Sequence, residues 1–291
     1  MPEKSLPVYN IEHFKYLEDT KDFYANNFVK HLKEHHFINT PHKHDFFLVF
    51  LFTHGKGVHE IDFTNYEIKP GALFLMAPGQ IHNWQLSKDI DGYVFFHSQG
   101  FYDLNFASKK VFELPFYTSI HNSSVIYLNS NQTKEIESLF SQILKEYKVS
   151  KSLKYQKLCA LIDLFYIEAA RLYVKKDQID DHKQGYLFKL RELEKLINEN
   201  FKTLKFPSEY AQKMNMSEKH LNRICKTVLN KTTSDLISER ILLEAKRMMI
   251  HANRSIAQLA EDLGYLDISY FTRWFKKKTG KTPKEFVKNQ V

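Results

Sequence analysis

Residues 255–280 read SIAQLAEDLGYLDISYFTRWFKKKTG, and residues 207–230, PSEYAQKMNMSEKHLNRICKTVLN, write the same pattern a second time. From Ser217 onward an offset of 50 residues superposes Arg223 on Arg273, Lys226 on Lys276, Lys231 on Lys281 and Thr232 on Thr282. Before the turn an offset of 49 superposes Ala211 on Ala260 and Met214 on Leu263, so one extra residue sits in the second turn. Each copy predicts a short helix (Pro207 to Met214; Ser255 to Leu263), a tight turn and a longer helix (Glu218 to Leu229; Ile268 to Lys278). Pro207 suits a first helical position, where its missing N–H costs nothing, and Ser255 and Asp267 offer capping oxygens. Asn215 and Gly264 occupy equivalent turn positions, and these residue types most readily take a positive φ. The pattern is a duplicated helix-turn-helix.

The faces of the longer helices say what they do. In the first, Leu221, Ile224, Cys225 and Val228 recur at helical spacing as core, leaving Lys219, His220, Asn222, Arg223 and Lys226 to project outward. In the second, Phe271, Trp274 and Phe275 are core, leaving Ser269, Tyr270, Arg273, Lys276 and Lys277 outside. Arg and Asn pair in bidentate fashion with guanine and adenine edges in the major groove, so Asn222, Arg223 and Arg273 are expected as base readers. The lysines are expected on phosphates. Between the copies, Ser234 to Ile250 lacks Gly and Pro, and Leu236, Ile237, Ile241, Leu242, Ala245, Met248 and Met249 form an apolar stripe. A connecting helix there spans about 25 Å. That suits two recognition helices roughly 34 Å apart, one turn of B-DNA.

Glu239-Arg240, Glu244-Ala245-Lys246-Arg247-Met248, Ser255-Ile256-Ala257, Leu263-Gly264-Tyr265, Asp267, Ser269-Tyr270-Phe271, Arg273, Phe275-Lys276-Lys277 and Thr279 to Pro283 together resemble the signature of the AraC/XylS family of bacterial transcription regulators. The resemblance covers about the last hundred residues and is highly specific over that length. It implies a DNA-binding domain of seven helices, usually joined to an N-terminal effector or dimerisation domain. The first copy matches more loosely than the second.

Charge divides the chain in the same way. From Gly185 to Val291 there are 21 Lys and Arg against 12 Asp and Glu, net +9, while the remainder is net −1, giving the overall +8. Attraction to phosphate and salt-sensitive binding follow. No stretch reaches the roughly 18 uninterrupted apolar residues of a membrane span. The N-terminus has no apolar signal-peptide stretch, and Cys159 and Cys225 fall on apolar helix faces without suggesting a disulfide. A cytoplasmic protein is expected.

In the N-terminal half, short aromatic and β-branched runs alternate with turn residues: Phe46 to Thr53, Val58 to Thr64, Ala72 to Met76, Ile81 to Leu86 and Tyr93 to His97. These are strands of a sandwich or barrel. His42 to Gly57, followed by Gly71 to His82, resembles the two motifs of the cupin barrel. In metal-binding cupins a His-x-His pair, a following Glu and a later His ligate the ion; here His42, His44 and His82 stand in the His positions, but Leu48 replaces the Glu. Three histidines suffice for zinc or copper, yet polar handles in a ligand cavity, or hydrogen-bonded strand histidines, are the preferred reading, and we assign no metal and no cofactor. If His42 and His44 point inward as in cupins, the two-residue period carries Phe46, Leu48, Phe50 and Phe52 with them, and His82 carries Trp84. We expect His42, His44, Phe46, Phe50, His82 and Trp84 to line a site for a sugar or other small metabolite, although the same residues serve equally as packed core.

Two amphipathic helices follow. Ile136, Leu139, Phe140, Ile143, Leu144 and Tyr147 form one stripe, and Leu158, Leu161, Ile162, Phe165, Ala169 and Leu172 another. The first helix resembles the dimerisation helix the family places beside its barrel, which implies a dimer contact by Ile136, Leu139, Phe140, Ile143 and Leu144; covering the barrel's own outer face is the alternative. Residues 175–184 read as a linker. The expected fold class is two-domain: an N-terminal all-β cupin-like barrel with accessory helices over 1–174, then an all-α double helix-turn-helix over 185–291. The expected function is a homodimeric regulator that binds double-stranded DNA, with RNA polymerase as a further contact and promoter binding modulated by a small-molecule effector. A ligand-independent regulator using the barrel for dimerisation only, and a metal-dependent cupin enzyme fused to a DNA-binding domain, are the alternatives.

Overall fold

The computed structural model describes residues 7–14, 22–35, 40–106, 110–119, 122–149, 151–174, 181–251 and 254–288. Those up to 174 form one compact unit and those from 181 onward another.

The first unit is built on two five-stranded sheets. Its elements are β1 (Val8–Tyr9), β2 (Phe23–Asn27), α1 (Phe28–Glu34), β3 (His42–His44), β4 (Phe47–His54), β5 (Gly57–Ile61), β6 (Thr64–Ile68), β7 (Ala72–Met76), β8 (Ile81–Leu86), β9 (Asp91–His97), α2 (Gln99–Asn105), β10 (Val125–Tyr127), α3 (Ser130–Lys148) and α4 (Lys154–Tyr173). One sheet runs β1-β3-β8-β5-β6, the other β10-β7-β4-β9-β2. They face each other across a core holding Leu48, Phe50, Phe52, Phe74, Met76 and Phe96 from the second sheet, with Ile61, Ile68 and Trp84 from the first.

The near-continuous apolar run of β4 has a physical cause. Alternate residues point to opposite faces, so Leu48, Phe50 and Phe52 enter the barrel while Phe47, Val49 and Leu51 pack beneath α3 and α4. Burial on both faces leaves no polar alternation to read. β5, by contrast, buries His59 and Ile61 and exposes Val58 and Glu60.

α3 corrects the expected dimer contact. Ile136, Leu139, Phe140 and Ile143 are buried, and Leu144 packs beside them, in the same cluster as Phe95, Leu158, Ile162 and Phe165 of this chain. The stripe is consumed intramolecularly because the outer face of β4, β7 and β9 is apolar apart from His97, and needs a cover. Glu146 of α3 closes the helix pair through Lys157, 2.7 Å away.

The hairpin between β5 and β6 also differs from expectation. Residues Val58 to Thr64 are not one strand: Ile61 pairs with Thr64, and Asp62 and Phe63 turn between them with φ of 47° and 70°. That is the left-handed two-residue geometry usually written with Asn-Gly or Asp-Gly. Here the Asp62 carboxylate holds the turn by accepting the Ile81 N–H at 3.1 Å.

The second unit comprises seven helices among the described residues: α5 (Asp181–Asn200), α6 (Pro207–Lys213), α7 (Glu218–Leu229), α8 (Thr233–His251), α9 (Ile256–Asp262), α10 (Ile268–Thr279) and α11 (Pro283–Lys288). Residues 181–184, expected as the end of the linker, are the first turn of α5. Gly185 costs the helix about 1 kcal/mol relative to Ala, which burial of Leu190, Leu193 and Ile197 further along outweighs. Positions 175–180 of the expected linker lie outside the described residues.

Candidate nucleic-acid interface and barrel site

The sequence repeat is reproduced bond by bond. Met216 N–H reaches Ala211 C=O at 3.0 Å in the first turn, and Tyr265 N–H reaches Ala260 C=O at 2.8 Å in the second. Asn215 at φ 51° and Gly264 at φ 78° supply the positive dihedrals these closures need. Each recognition helix is then capped: Ser217 Oγ accepts from His220 N–H at 3.2 Å, and an Asp267 carboxylate oxygen accepts from Ser269 N–H at 2.7 Å. α9 begins with a reciprocal capping box between Ser255 and Gln258. Such ends fix where α7 and α10 start, and so which side chains face outward.

On α7, Lys219, Arg223 and Lys226 are exposed. His220 is half-buried, its ring edge-on to Tyr186 at 6.0 Å, and its Nδ1 accepts from the Arg223 guanidinium at 2.6 Å. Asn222 departs from the expected role of base reader. Its Oδ1 accepts the backbone N–H of Thr233 at 3.1 Å. One residue before Arg223, it is turned about 100° around the helix, toward the start of α8, where it ties recognition helix to connecting helix.

On α10, Ser269, Tyr270, Arg273, Lys276 and Lys277 are all exposed, while Phe271 and Phe275 are buried and Trp274 is half-buried. Nearby cations of structural type contrast with them: Lys231 pairs with Glu239 at 2.9 Å and Lys278 approaches Asp235 at 3.9 Å. Leu266, fully exposed just before α10, and Ile268 beside it carry no periodic signal, and sequence reading passed over them. The α8 helix between the two motifs has 19 residues, about 28 Å of rise.

In the other unit, the six expected pocket residues do converge. His42, His44, Phe46, Phe50, His82 and Trp84 are all buried inside the barrel. His42 and His82 face each other across β3 and β8 in register. A fourth imidazole joins them: His59 of β5, fully buried, places Nε2 2.8 Å from His82 Nδ1. His82 Nε2 in turn lies 2.8 Å from His44 Nε2. His42 donates from Nδ1 to the Thr40 carbonyl at 2.7 Å, leaving its Nε2 buried without a hydrogen-bond partner. Sequence reading missed His59, whose clue was its place as the middle, inward residue of a Val-His-Glu alternation.

Burial is the main cause that holds these imidazoles neutral. It lowers His42 to about 4 and His59 to about 3, and takes His44 and His82 well below the ordinary value of 6.5. Phe28 of α1 closes the interior with its ring edge-on to Phe52 and Trp84 at 4.9 and 5.7 Å. Together the rings make a buried, aromatic interior whose polar features include the imidazoles and the Trp84 indole N–H.

Comparison with known proteins matches both units. Residues 210–289 match the Helix-turn-helix domain family, and residues 29–163 match the AraC-like ligand binding domain family. The chain is similar to the HTH-type transcriptional activator RhaR of Mannheimia succiniciproducens, 23% identical over 257 residues that cover 84% of this chain and 86% of that protein. It is similar to the regulatory protein SoxS of Escherichia coli, 34% identical over 76 residues, covering 26% of this chain and 71% of that protein. Among solved structures it resembles ToxT from Vibrio cholerae with a TM-score of 0.45 and 13% identity, covering 92% of this chain and 98% of that one.

Proposed function

The chain belongs to the AraC/XylS family of transcription regulators, and from that premise we propose that α7 and α10 read two successive major-groove segments on one face of a duplex. The observation that carries this is the pair of twelve-residue helices, each with a side-chain N-cap and a left-handed C-cap, presenting Arg223 and Arg273 at equivalent, exposed positions of the repeat. Arg223 and Arg273 then read guanine edges, while Lys219, Lys226, Lys276 and Lys277 meet phosphates. Leu266 and Tyr270 add apolar contact suited to a thymine methyl. Asn222 acts by holding α7 rather than by reading a base.

The match of residues 29–163 to a ligand-binding family and the aromatic barrel interior support an effector, a sugar or other small amphipathic metabolite, recognised by His42, His44, Phe46, Phe50, His82 and Trp84. Its binding alters promoter occupancy. The protein regulates rather than catalyses, in the cytoplasm. A homodimer would read four groove segments; its contact lies elsewhere than the buried stripe of α3. The resemblance to proteins named as transcriptional activators favours RNA polymerase as a further contact.

The test is hydroxyl-radical footprinting on genomic fragments selected by the purified protein. The expected protection falls in two major-groove segments spaced by about 10 base pairs on one face. Protection confined to one segment refutes the paired geometry. Repeating the selection with candidate metabolites tests the effector: occupancy that no small molecule shifts leaves the barrel a structural module.

A further inference from the structure

We propose that Lys205 is a positioning residue for DNA reading: its ammonium joins the end of α5 and the start of the first motif to the turn of the second, and so sets the register at which α7 and α10 meet the duplex. The proposal rests on the paired reading above and adds what holds the pair at one spacing.

The backbone around residue 205 is gripped from the first motif. The Glu209 carboxylate of α6 accepts the backbone N–H of Lys205 and that of Phe206, each at 2.8 Å, and Tyr210 O–H donates to the Leu204 carbonyl at 3.1 Å. From this fixed base the Lys205 side chain crosses to the second motif. Its Nζ donates to the carbonyl of Leu263, the C-cap of α9, and to that of Phe201, one residue past the end of α5, at 2.6 Å. The same Nζ lies 5.0 Å from the centre of the Tyr265 ring. Carbonyls at helix ends have no partner within the helix and carry its negative pole, so one ammonium satisfies two of them. Burial lowers Lys205 to about 8, with Glu209 acting in the opposite sense. Its charge is turned inward to these carbonyls, whereas Lys219, Lys226, Lys276 and Lys277 are exposed.

The end of α5 is pinned in its turn to the connecting helix. Arg240 of α8 donates from Nε to Asn198 Oδ1 at 2.8 Å, pairs with Glu244 at 2.9 Å, and holds its guanidinium 4.1 Å from the centre of the Phe201 ring. Gly264 sits so close to the Lys202 carbonyl that only a residue without a Cβ fits. Residues 198–205 thus touch α6, α8 and the second turn at once.

A magnitude shows why such a strut matters. The length of α8, 19 residues, sets how far apart the motifs stand. It does not set the angle at which the second motif leaves. A tilt of about 10° over roughly 28 Å displaces α10 by about 5 Å, more than the rise of about 3.4 Å per base pair. Apolar packing is non-directional and resists such tilts weakly. A charged donor held on two carbonyls resists them by direction as well as distance.

The test uses the duplex selected for footprinting, with versions carrying one base pair more or fewer between the two segments. Affinity of the full-length chain is measured by fluorescence anisotropy. One base pair shifts a segment by about 3.4 Å and turns it by about 35°, so the wild type is expected to lose roughly 10-fold or more on the altered spacers. Lys205→Met, its fold checked by circular dichroism, is expected to reduce that discrimination to about threefold while binding a duplex with only one segment as the wild type does. Lys205→Arg, which keeps the charge and several donors, restores it. A wild type indifferent to spacer length refutes the paired reading, and this proposal with it. A folded Lys205→Met chain as selective as the wild type overturns the proposal and leaves the reading standing. So does a variant that weakens every duplex alike with its spacing preference intact, since Lys205 would then be a phosphate contact or a plain stabiliser. If Lys205→Met does not fold, Lys205→Gln, neutral and shorter, is held to the same criterion.

Discussion

Replacing Gly264 by Ala strikes the point where sequence repeat, turn geometry and helix packing coincide. Gly264 has φ +78°, and a Cβ there would lie 1.9 Å from the carbonyl oxygen of Lys202, two residues past the end of α5. Two penalties add. A non-glycine residue in the left-handed region costs about 1 to 2 kcal/mol. Forcing apart a backbone contact that ordinary carbons keep well beyond 3 Å costs about 1 to 3 kcal/mol more, as in overpacked cores. The expected loss is about 2 to 5 kcal/mol, confined to the second unit. Asn215, at the matching turn with φ 51°, is already a side-chain-bearing residue, so Asn215→Ala should lose only about 1 kcal/mol. Urea unfolding in a Trp84→Phe background isolates the effect, because Trp274 is then the sole tryptophan and its ring lies 5.5 Å from that of Tyr265 in the same turn. A Gly264→Ala loss no larger than that of Asn215→Ala would refute the close-approach reasoning.

Arg273→Ala should cost about 1 to 3 kcal/mol on the specific duplex and relax preference at one base position; equal losses on specific and random DNA, measured by fluorescence anisotropy, would contradict base readout. Lys276→Ala should weaken all duplexes alike and reduce the slope of log affinity against log salt by about 1, so an unchanged slope argues against a phosphate contact. Asn222→Ala should lower stability of the second unit by about 1 kcal/mol through the unsatisfied Thr233 N–H, and a variant that loses base preference at full stability would restore Asn222 as a reader. Burial lowers His97, bonded to Tyr166 at 2.7 Å, to about 4. The unfolded chain therefore takes up a proton from about pH 6.5 downward that the folded chain refuses until about 4, and stability present above 6.5 is lost at up to about 1.4 kcal/mol per pH unit across that window. His97→Gln should flatten this acid dependence of the barrel's urea midpoint; parallel curves for variant and wild type would show His97 titrating normally.

Most of the DNA-binding unit was legible because its determinants are local. Helix periodicity, the caps at Ser217, Ser255 and Asp267, and the turn residues Asn215 and Gly264 act within a few positions of themselves, so a linear reading finds them. The strands of β7 and β8 were legible for the same reason, bounded by Pro-Gly pairs. The β5–β6 hairpin was not, because its turn is written Asp62-Phe63 and is held by the distant Ile81 N–H. β2, with the sequence Phe-Tyr-Ala-Asn-Asn, is a strand chiefly because it pairs along β9.

The sequence by itself determined that this protein has two reading helices of one design, in a basic segment, behind an aromatic β domain. Only the tertiary structure decided where amphipathic surface goes: a stripe such as that of α3 is equally suited to a second copy or to its own sheet, and the apolar outer face of β4, β7 and β9 claimed it. The same holds for side chains whose partners are remote in the chain. Asn222 became a tie to Thr233, and His59 joined His82 across neighbouring strands, because hydrogen bonds are settled by distances of about 3 Å in space that no spacing along the chain encodes.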